Sequence, residues 1–377
     1  MSVAFVGKIC EHFENVTDPR VNRGANYPLV EMVFVALCGT ICDCNSWVDI
    51  AAFGRAKLGW FRKFLPFERG IPAHDTFTEV FARLDTLEFY AALESWAHSI
   101  APALNGETVA LDGKTLRGSF DRASAKSALH SVSAWVCGRK MCLALKSVED
   151  KSNEIPAVQH LIDLLDLEGA VVTADAMHCQ RETADKIVAK EADYVLMVKG
   201  NQESLEAAVQ QAMVEAFEHD HPQLRSCRTK EQNRSRRETR EVTVRPGPKD
   251  SPVFARWPGL KTIGGIYRTR EIHGVLEESL EFFITSLPCQ VRAISRHLRA
   301  HWSIENSQHH VLDVTFTEDA SRIRKGNGPE ISSVFRRLAL NILQQDTTVK
   351  ASIRGKRKLC GWSEPAFERL IAGFCGN

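Results

Sequence analysis

No stretch of this sequence is apolar for long enough to span a bilayer. The longest such run, Leu29 to Ile41, is interrupted by Glu31 and falls short of the roughly 20 apolar residues a membrane helix needs. The N-terminus, MSVAFVGKICEHFENV, lacks a basic stretch followed by an apolar stretch and a small-residue cleavage site, so no secretory signal is expected. Charge of one sign is also missing. Lys and Arg number 48 against 47 Asp and Glu, a formal net charge of +1. A nucleic-acid partner must therefore be sought in local patches, not in whole-chain charge. The 11 cysteines are an odd number without a framework spacing, which argues against a disulfide scaffold. It predicts a cytoplasmic protein whose thiols serve as small apolar residues. Internal repeats and low-complexity tracts are absent as well.

What remains is an ordinary soluble composition, 44% hydrophobic and 25% charged over 377 residues, long enough for two or three units that each bury a core. Residues 1–103 read as helical. Pro28 suits the first turn of a helix through LVEMVFVALCGTIC, a second covers WVDIAAFGRAKLGWFRKF, and Asp75 is a candidate start for HDTFTEVFARL. Pro102, Asn105 and Gly106 mark a boundary. TVALDGK, HSVSAWVC and CLALKSVE then read as strands, with Gly138, Arg139 and Lys140 as a hairpin turn. Helix, strand, helix and strand follow in IPAVQHLIDLLDL, AVVTADA, RETADKIVAKEA and DYVLMVK. This order predicts an α/β fold, a mixed sheet with flanking helices. From about 200 to 287 a polar helix and strand-like runs suggest a β-rich insertion. One sheet-and-helix domain is expected over 104–350, with 351–377 as a C-terminal tail.

Two aspartates end apolar strands. Asp112 closes VALD and Asp175 closes VVTAD. Polar residues just past a strand's carboxyl end sit where ligands bind in α/β folds. Two carboxylates brought together repel, and a divalent cation relieves that. The plain alternative is that each Asp caps the following turn. A third acid, Glu305, lies in HLRAHWSIENSQHHVLDV, where helical spacing puts Trp302, Glu305, His309 and Leu312 on one face. A solvated Glu is its alternative.

The stretches LDGKTLRGS, TADAMHCQRETADKI, DYVLMVKGNQ, HWSIEN and HHVLDVTFTEDASR resemble the insertion-sequence transposases of the DDE type, in the group that includes the H-repeat-associated proteins. The resemblance covers nearly the whole chain. It implies an RNase H-like fold with a strand-rich insertion, and a helical accessory, DNA-binding domain at the N-terminus. It also implies that Asp112, Asp175 and Glu305 are the catalytic and metal-holding triad, with Mg²⁺ or Mn²⁺ as cofactor. The partners implied are double-stranded DNA, as the element's terminal inverted repeats and as target, and a second copy of the chain on that DNA. Such sites activate a nucleophile and stabilise the leaving oxygen in an in-line displacement. Where relatives carry Tyr, Arg and Lys around the third acid, this sequence has His301, Arg299 and Leu312.

Lys114, Arg117, Arg299, His301 and Trp302 are the candidates for DNA contact near the acids, with solvated or structural roles as the alternative. RSCRTKEQNRSRRETREVTVR, which holds Arg236 and Arg237, SRIRKGN and GKRKL are basic and suit a DNA backbone. Trp257 and Trp302 are candidates to stack on a splayed base, against burial in the core. His178 is a candidate proton carrier. Asp313, Glu318 and Asp319 supply further carboxylates, with Asp313 the substitute should Glu305 be dispensable. Zinc sites at Cys38, Cys42 and Cys44, or at His301, His309 and His310, lack a matching second ligand group. An RNase H-like nuclease that cuts without rejoining and an inactive DNA-binding relative are the competing readings.

Overall fold

The computed structural model of the chain describes residues 2–20, 26–120, 127–148, 153–233 and 236–375. In chain order it opens with helices α1 (Ser2–Phe13), α2 (Leu29–Ile41), α3 (Trp47–Ala56), α4 (Leu58–Phe61), α5 (His74–Phe81) and α6 (Thr86–Ile100). Strands β1 (Thr108–Leu116), β2 (Leu129–Val136) and β3 (Met141–Val148) follow, then α7 (Glu154–Leu164), β4 (Val171–Ala174), α8 (Arg181–Ala189) and β5 (Asp193–Val198). Next come α9 (Glu203–Glu218), β6 (Arg225–Asn233), β7 (Arg236–Pro246), β8 (Thr262–Ile272) and β9 (Val275–Thr285). The chain ends in α10 (Val291–His301), α11 (His310–Val314), α12 (Gly328–Gln345), α13 (Ile353–Trp362) and α14 (Glu364–Cys375). The expected order of three strands, helix, strand, helix, strand is present. None of the described helices is long and apolar enough to cross a membrane.

The chain divides into two compact units: Met1–Pro102, Gly113–Glu154 and Ile304–Asn377 in the first, Ala103–Asp112 and Ile155–Ser303 in the second. In the first unit, α2 is buried from Glu31 to Ile41, which makes it a core helix and accounts for its unbroken apolar run. Pro28 stands at its N-cap. Buried Glu31 accepts a hydrogen bond from the Phe67 amide at 2.8 Å. Two helix boundaries differ from the sequence reading. The helix expected through Trp47–Phe64 breaks at Lys57 into α3 and α4, and α5 begins at His74 with Ala73 as its cap. Asp75 lies inside the first turn of α5, where a carboxylate still favours the helix dipole. Antiparallel β2 and β3 complete this unit's sheet. The Asn341 side chain on α12 binds both the amide and the carbonyl of Cys142 on β3, each at 2.8 Å.

In the second unit the strand order is β1-β4-β5-β9-β8-β7-β6. β1 runs parallel to β4 and β4 parallel to β5, whereas β5 to β9 and every pair beyond are antiparallel. The strand-rich segment thus extends the same sheet, because Phe282–Ile284 of β9 pair with Leu196–Val198 of β5. Its core gathers Val171, Val195, Val242, Val244, Ile266 and Phe283 under Ile294 and Leu298 of α10.

The helix expected through Val314 is interrupted. α10 stops at His301, residues Ile304–His309 form a π-helical turn, and α11 resumes at His310. A π turn adds a residue per turn and shifts the faces. Ile304, Gln308 and Leu312 are the buried line, and Glu305 is exposed. The face expected from Trp302, Glu305, His309 and Leu312 does not form.

Candidate active site

β1 and β4 run side by side with Leu111 opposite Ala174. Asp175 follows the last residue of β4, but β1 runs on past Asp112 to Leu116, so the strand end expected at Asp112 does not form. Parallel register still makes the two aspartates the next residues in line on neighbouring strands. All four residues of β4 are buried, and Asp175 behind them is exposed. It precedes a short 3₁₀ turn but its side chain makes no capping hydrogen bond, so the alternative of a turn-capping Asp fails at this position. Its Oδ1 lies 3.4 Å from Nε2 of His301. The other ring nitrogen of His301, Nδ1, is 2.9 Å from the hydroxyl of Thr173. A carboxylate only accepts, so Nε2 of His301 donates to Asp175, and Nδ1 is met by the Thr173 hydroxyl, which can donate or accept. The His301 hydrogen bond holds the Asp175 carboxyl below its ordinary range. Burial opposes that, while the charges of His301, Lys199 and His178 reinforce it. A cleft opens beside Asp175, lined by Thr173, Val195, Lys199, Arg268, His301 and Trp302 among others.

The neighbourhood of the third acid belongs to the first unit. Lys114, buried, is 2.6 Å from Asp313, 3.2 Å from Asp319 and 3.7 Å from Glu318. Its ammonium is committed to internal carboxylates and not presented to solvent. Glu318 is fully buried and 3.0 Å from Arg337, with Arg336 at 3.7 Å. Burial works to raise its carboxyl, but Arg337, Arg336 and Lys114 outweigh it and the net direction is down. Burial pushes the Asp313 carboxyl up, against the pull of Lys114. These acids are ion-paired groups, not helix caps. Gly118 is required here because a Cβ would collide with the carbonyl oxygen of Asp319.

The remaining candidates separate clearly. Arg117 is exposed and 3.7 Å from Asp319. Arg299 binds Glu231 at 2.5 Å. Arg237 is exposed, 3.8 Å from Glu271, and the side chain of Arg236 lies outside the described residues, as do Arg234 and Ser235. Trp257 is buried, which removes it as a stacking platform. Trp302 is half-buried, with the Arg268 guanidinium 5.1 Å from its ring centroid. His178 is buried. Among the described residues no group of three or more His, Cys, Asp or Glu side chains is set for a metal ion. Burial pushes the Cys38 and Cys42 thiols up, in keeping with apolar use. The sequence reading missed the Thr173–His301–Asp175 chain. The period of two along β4 carried a signal for it, since Thr173 and Asp175 share a face.

The transposase DDE domain family matches residues 105–342, and its associated domain matches residues 10–97. The chain is 34% identical to YncI of Escherichia coli O157:H7, provisionally named a transposase, over 97% of this chain and 95% of that protein. It is 30% identical to YhhI of Escherichia coli K12, provisionally named an H repeat-associated transposase, over 97% and 98%. A solved synaptic complex of piggyBac transposase with hairpin DNA is similar at a TM-score of 0.44 and 8% identity, covering 98% of this chain and 78% of that one.

Proposed function

This chain belongs to the transposase DDE domain family, and from that premise we propose that it cuts DNA at the ends of its own insertion element and joins those ends to target DNA. The observation that carries the reading is the parallel register of Leu111 with Ala174, the residues that directly precede Asp112 and Asp175 on neighbouring strands. Glu305, exposed on its π-helical turn, is the third acid. Hard divalent cations take oxygen ligands, and the donor set offered here is carboxylate. Asp112, Asp175 and Glu305 would hold Mg²⁺ or Mn²⁺, which when bound activates the attacking oxygen and stabilises the leaving one. The chain's own residues do the rest. His301 fixes the Asp175 carboxylate, and the exposed Arg117 and Arg237 meet backbone phosphates. Residues 104–350 are the catalytic part and the helical residues 1–103 an accessory DNA-binding part. Two copies act together on paired element ends.

The test incubates the full chain with Mg²⁺ or Mn²⁺ and DNA carrying the terminal repeats. End cleavage with joined product supports the proposal. Cleavage without joining indicates a nuclease, and DNA binding without either product indicates an inactive relative.

A further inference from the structure

Strands β7 and β8 carry two chemistries on one face. Val242, Val244 and Ile266 lie under α10. Further along the same face, side chains two apart point the same way, and Arg240, Arg268 and Arg270 surround Glu238. Arg240 is ion-paired with Glu238, and the Nε atoms of Arg268 and Arg270 each lie 3.8 Å from its carboxylate. One buried carboxylate thus serves three guanidiniums. The nearby acids are shared or distant: Glu281 is 3.6 Å from Arg268 and 3.1 Å from Lys199, and Glu277 is 3.9 Å from Arg270. Among the described residues nearby, Arg228 of β6 pairs with Glu241 of β7 at 2.7 Å, and Arg299 of α10 with Glu231 of β6 at 2.5 Å.

The register makes the excess costly. Arg240 and Arg268 are direct partners across the antiparallel pair, where like charges destabilise a sheet. The two side chains are only 14% and 12% exposed. The Nε atoms of Arg240, Arg268 and Arg270 are all buried without a hydrogen-bond acceptor. Burial, reinforced by the charges of Arg299 and Arg268 against those of Glu238 and Glu231, pushes Arg240 below its ordinary range. A fold that tolerates this arrangement is short of anionic oxygen at this place. Arg268 also lines the cleft of Asp175 and lies over Trp302, so the cationic strip opens into the candidate active site.

We propose that Arg240, Arg268 and Arg270 form a phosphate track that grips the backbone of a DNA strand leading into the Asp175 cleft. The guanidinium fork matches phosphate oxygens two at a time, and a phosphodiester backbone supplies them in series. This inference rests on the DNA transposase reading above.

The experiment measures binding of a short fluorescein-labelled duplex to the full chain in EDTA across a KCl series, for wild type, R240Q and R270Q. Each variant is expected to bind about tenfold more weakly and to flatten the slope of log affinity against log salt by about 0.9 per lost phosphate contact. R240Q is also expected to melt no lower than wild type, because it removes one of two facing like charges. R270Q, at a more exposed position, provides the measurement should R240Q fail to fold. If wild type binds and the folded variants keep its affinity and slope, the track is overturned and the transposase reading stands. If R240Q melts lower while its DNA binding is unchanged, the arginines are structural only. A wild-type chain that does not bind the duplex overturns both.

Discussion

His301, the last residue of α10, stands 3.4 Å from Oδ1 of Asp175 and 2.9 Å from the hydroxyl of Thr173. Thr173 and Asp175 flank Ala174 at the end of β4, so one histidine reads both residues of a strand end. The ring donates to the carboxylate from Nε2 while the Thr173 hydroxyl anchors Nδ1 and so orients the ring. Outer-shell partners of a ligating carboxylate typically matter by about 10- to 100-fold. Thr173→Val and His301→Gln are therefore expected to slow end cleavage within that range, and Thr173→Ser to restore it. Single-turnover cleavage rates provide the check. A Thr173→Val chain that cleaves like wild type would remove His301 from the site.

Asp112→Asn and Asp175→Asn are each expected to abolish cleavage and joining while affinity for end DNA in EDTA changes little. The amide preserves shape but loses the anionic oxygen that a hard cation selects. Gel-shift and cleavage assays on the same preparations decide it, and retained cleavage in either variant would falsify that residue's assignment.

The order β1, β2, β3, α7, β4, α8, β5 follows from periodicity alone, and an acid directly after a buried strand is a local pattern that holds for Asp175. It does not hold for Asp112, because β1 continues to Leu116. The helix of the third acid was not legible. Its apolar spacing suggested one continuous face, but the chain inserts a π turn at Ile304–His309, which no residue-type pattern announces. Nor was the fate of Lys114 readable. Its partners Asp313, Glu318 and Asp319 lie some 200 positions away, and only tertiary packing decides whether a lysine after a strand meets solvent or an internal acid. The basic run around residues 225–245 was read as suiting a DNA backbone, yet it forms β6 and β7, where Arg228 pairs across the strands with Glu241 and Arg240 with Glu238 on its own strand.

Glu305 and Asp313 can be told apart by substitution. Glu305 is exposed and Asp313 is tied to Lys114 at 2.6 Å. Glu305→Gln is expected to abolish cleavage without altering the melting temperature. Asp313→Asn is expected to weaken folding modestly, by about 1–3 kcal/mol for a lost charged partner, while cleavage survives. The reverse pattern would move the third acid to Asp313.

Glu318 and Arg337 are both fully buried and 3.0 Å apart. Removing one partner of such a pair leaves an uncompensated charge, so Glu318→Gln is expected to cost about 3–5 kcal/mol in urea unfolding. Because the folded carboxyl is held down, its stabilisation is present above the unfolded value and is lost as pH falls through the folded one. The gap between wild type and Glu318→Gln should therefore close in acid. A gap that widens there would contradict the ion-pair account.

Glu94 on α6 titrates in the opposite sense. Burial pushes its carboxyl up to about 7, against the pull of Lys146 on β3. A carboxyl whose folded value lies above its unfolded one stabilises the fold while protonated. That contribution is fully present below the unfolded value and disappears as pH rises through about 7. Wild type should accordingly lose melting temperature between weakly acidic and weakly alkaline buffer, and Glu94→Gln, which keeps the shape and cannot ionise, should lose less. The difference between the two melting curves isolates this group from every other titration in the chain. It should be small in acid and grow in favour of Glu94→Gln as the carboxyl ionises. A difference that stays constant across that range would mean that Glu94 is already ionised in the folded chain, with Lys146 and solvent outweighing its burial.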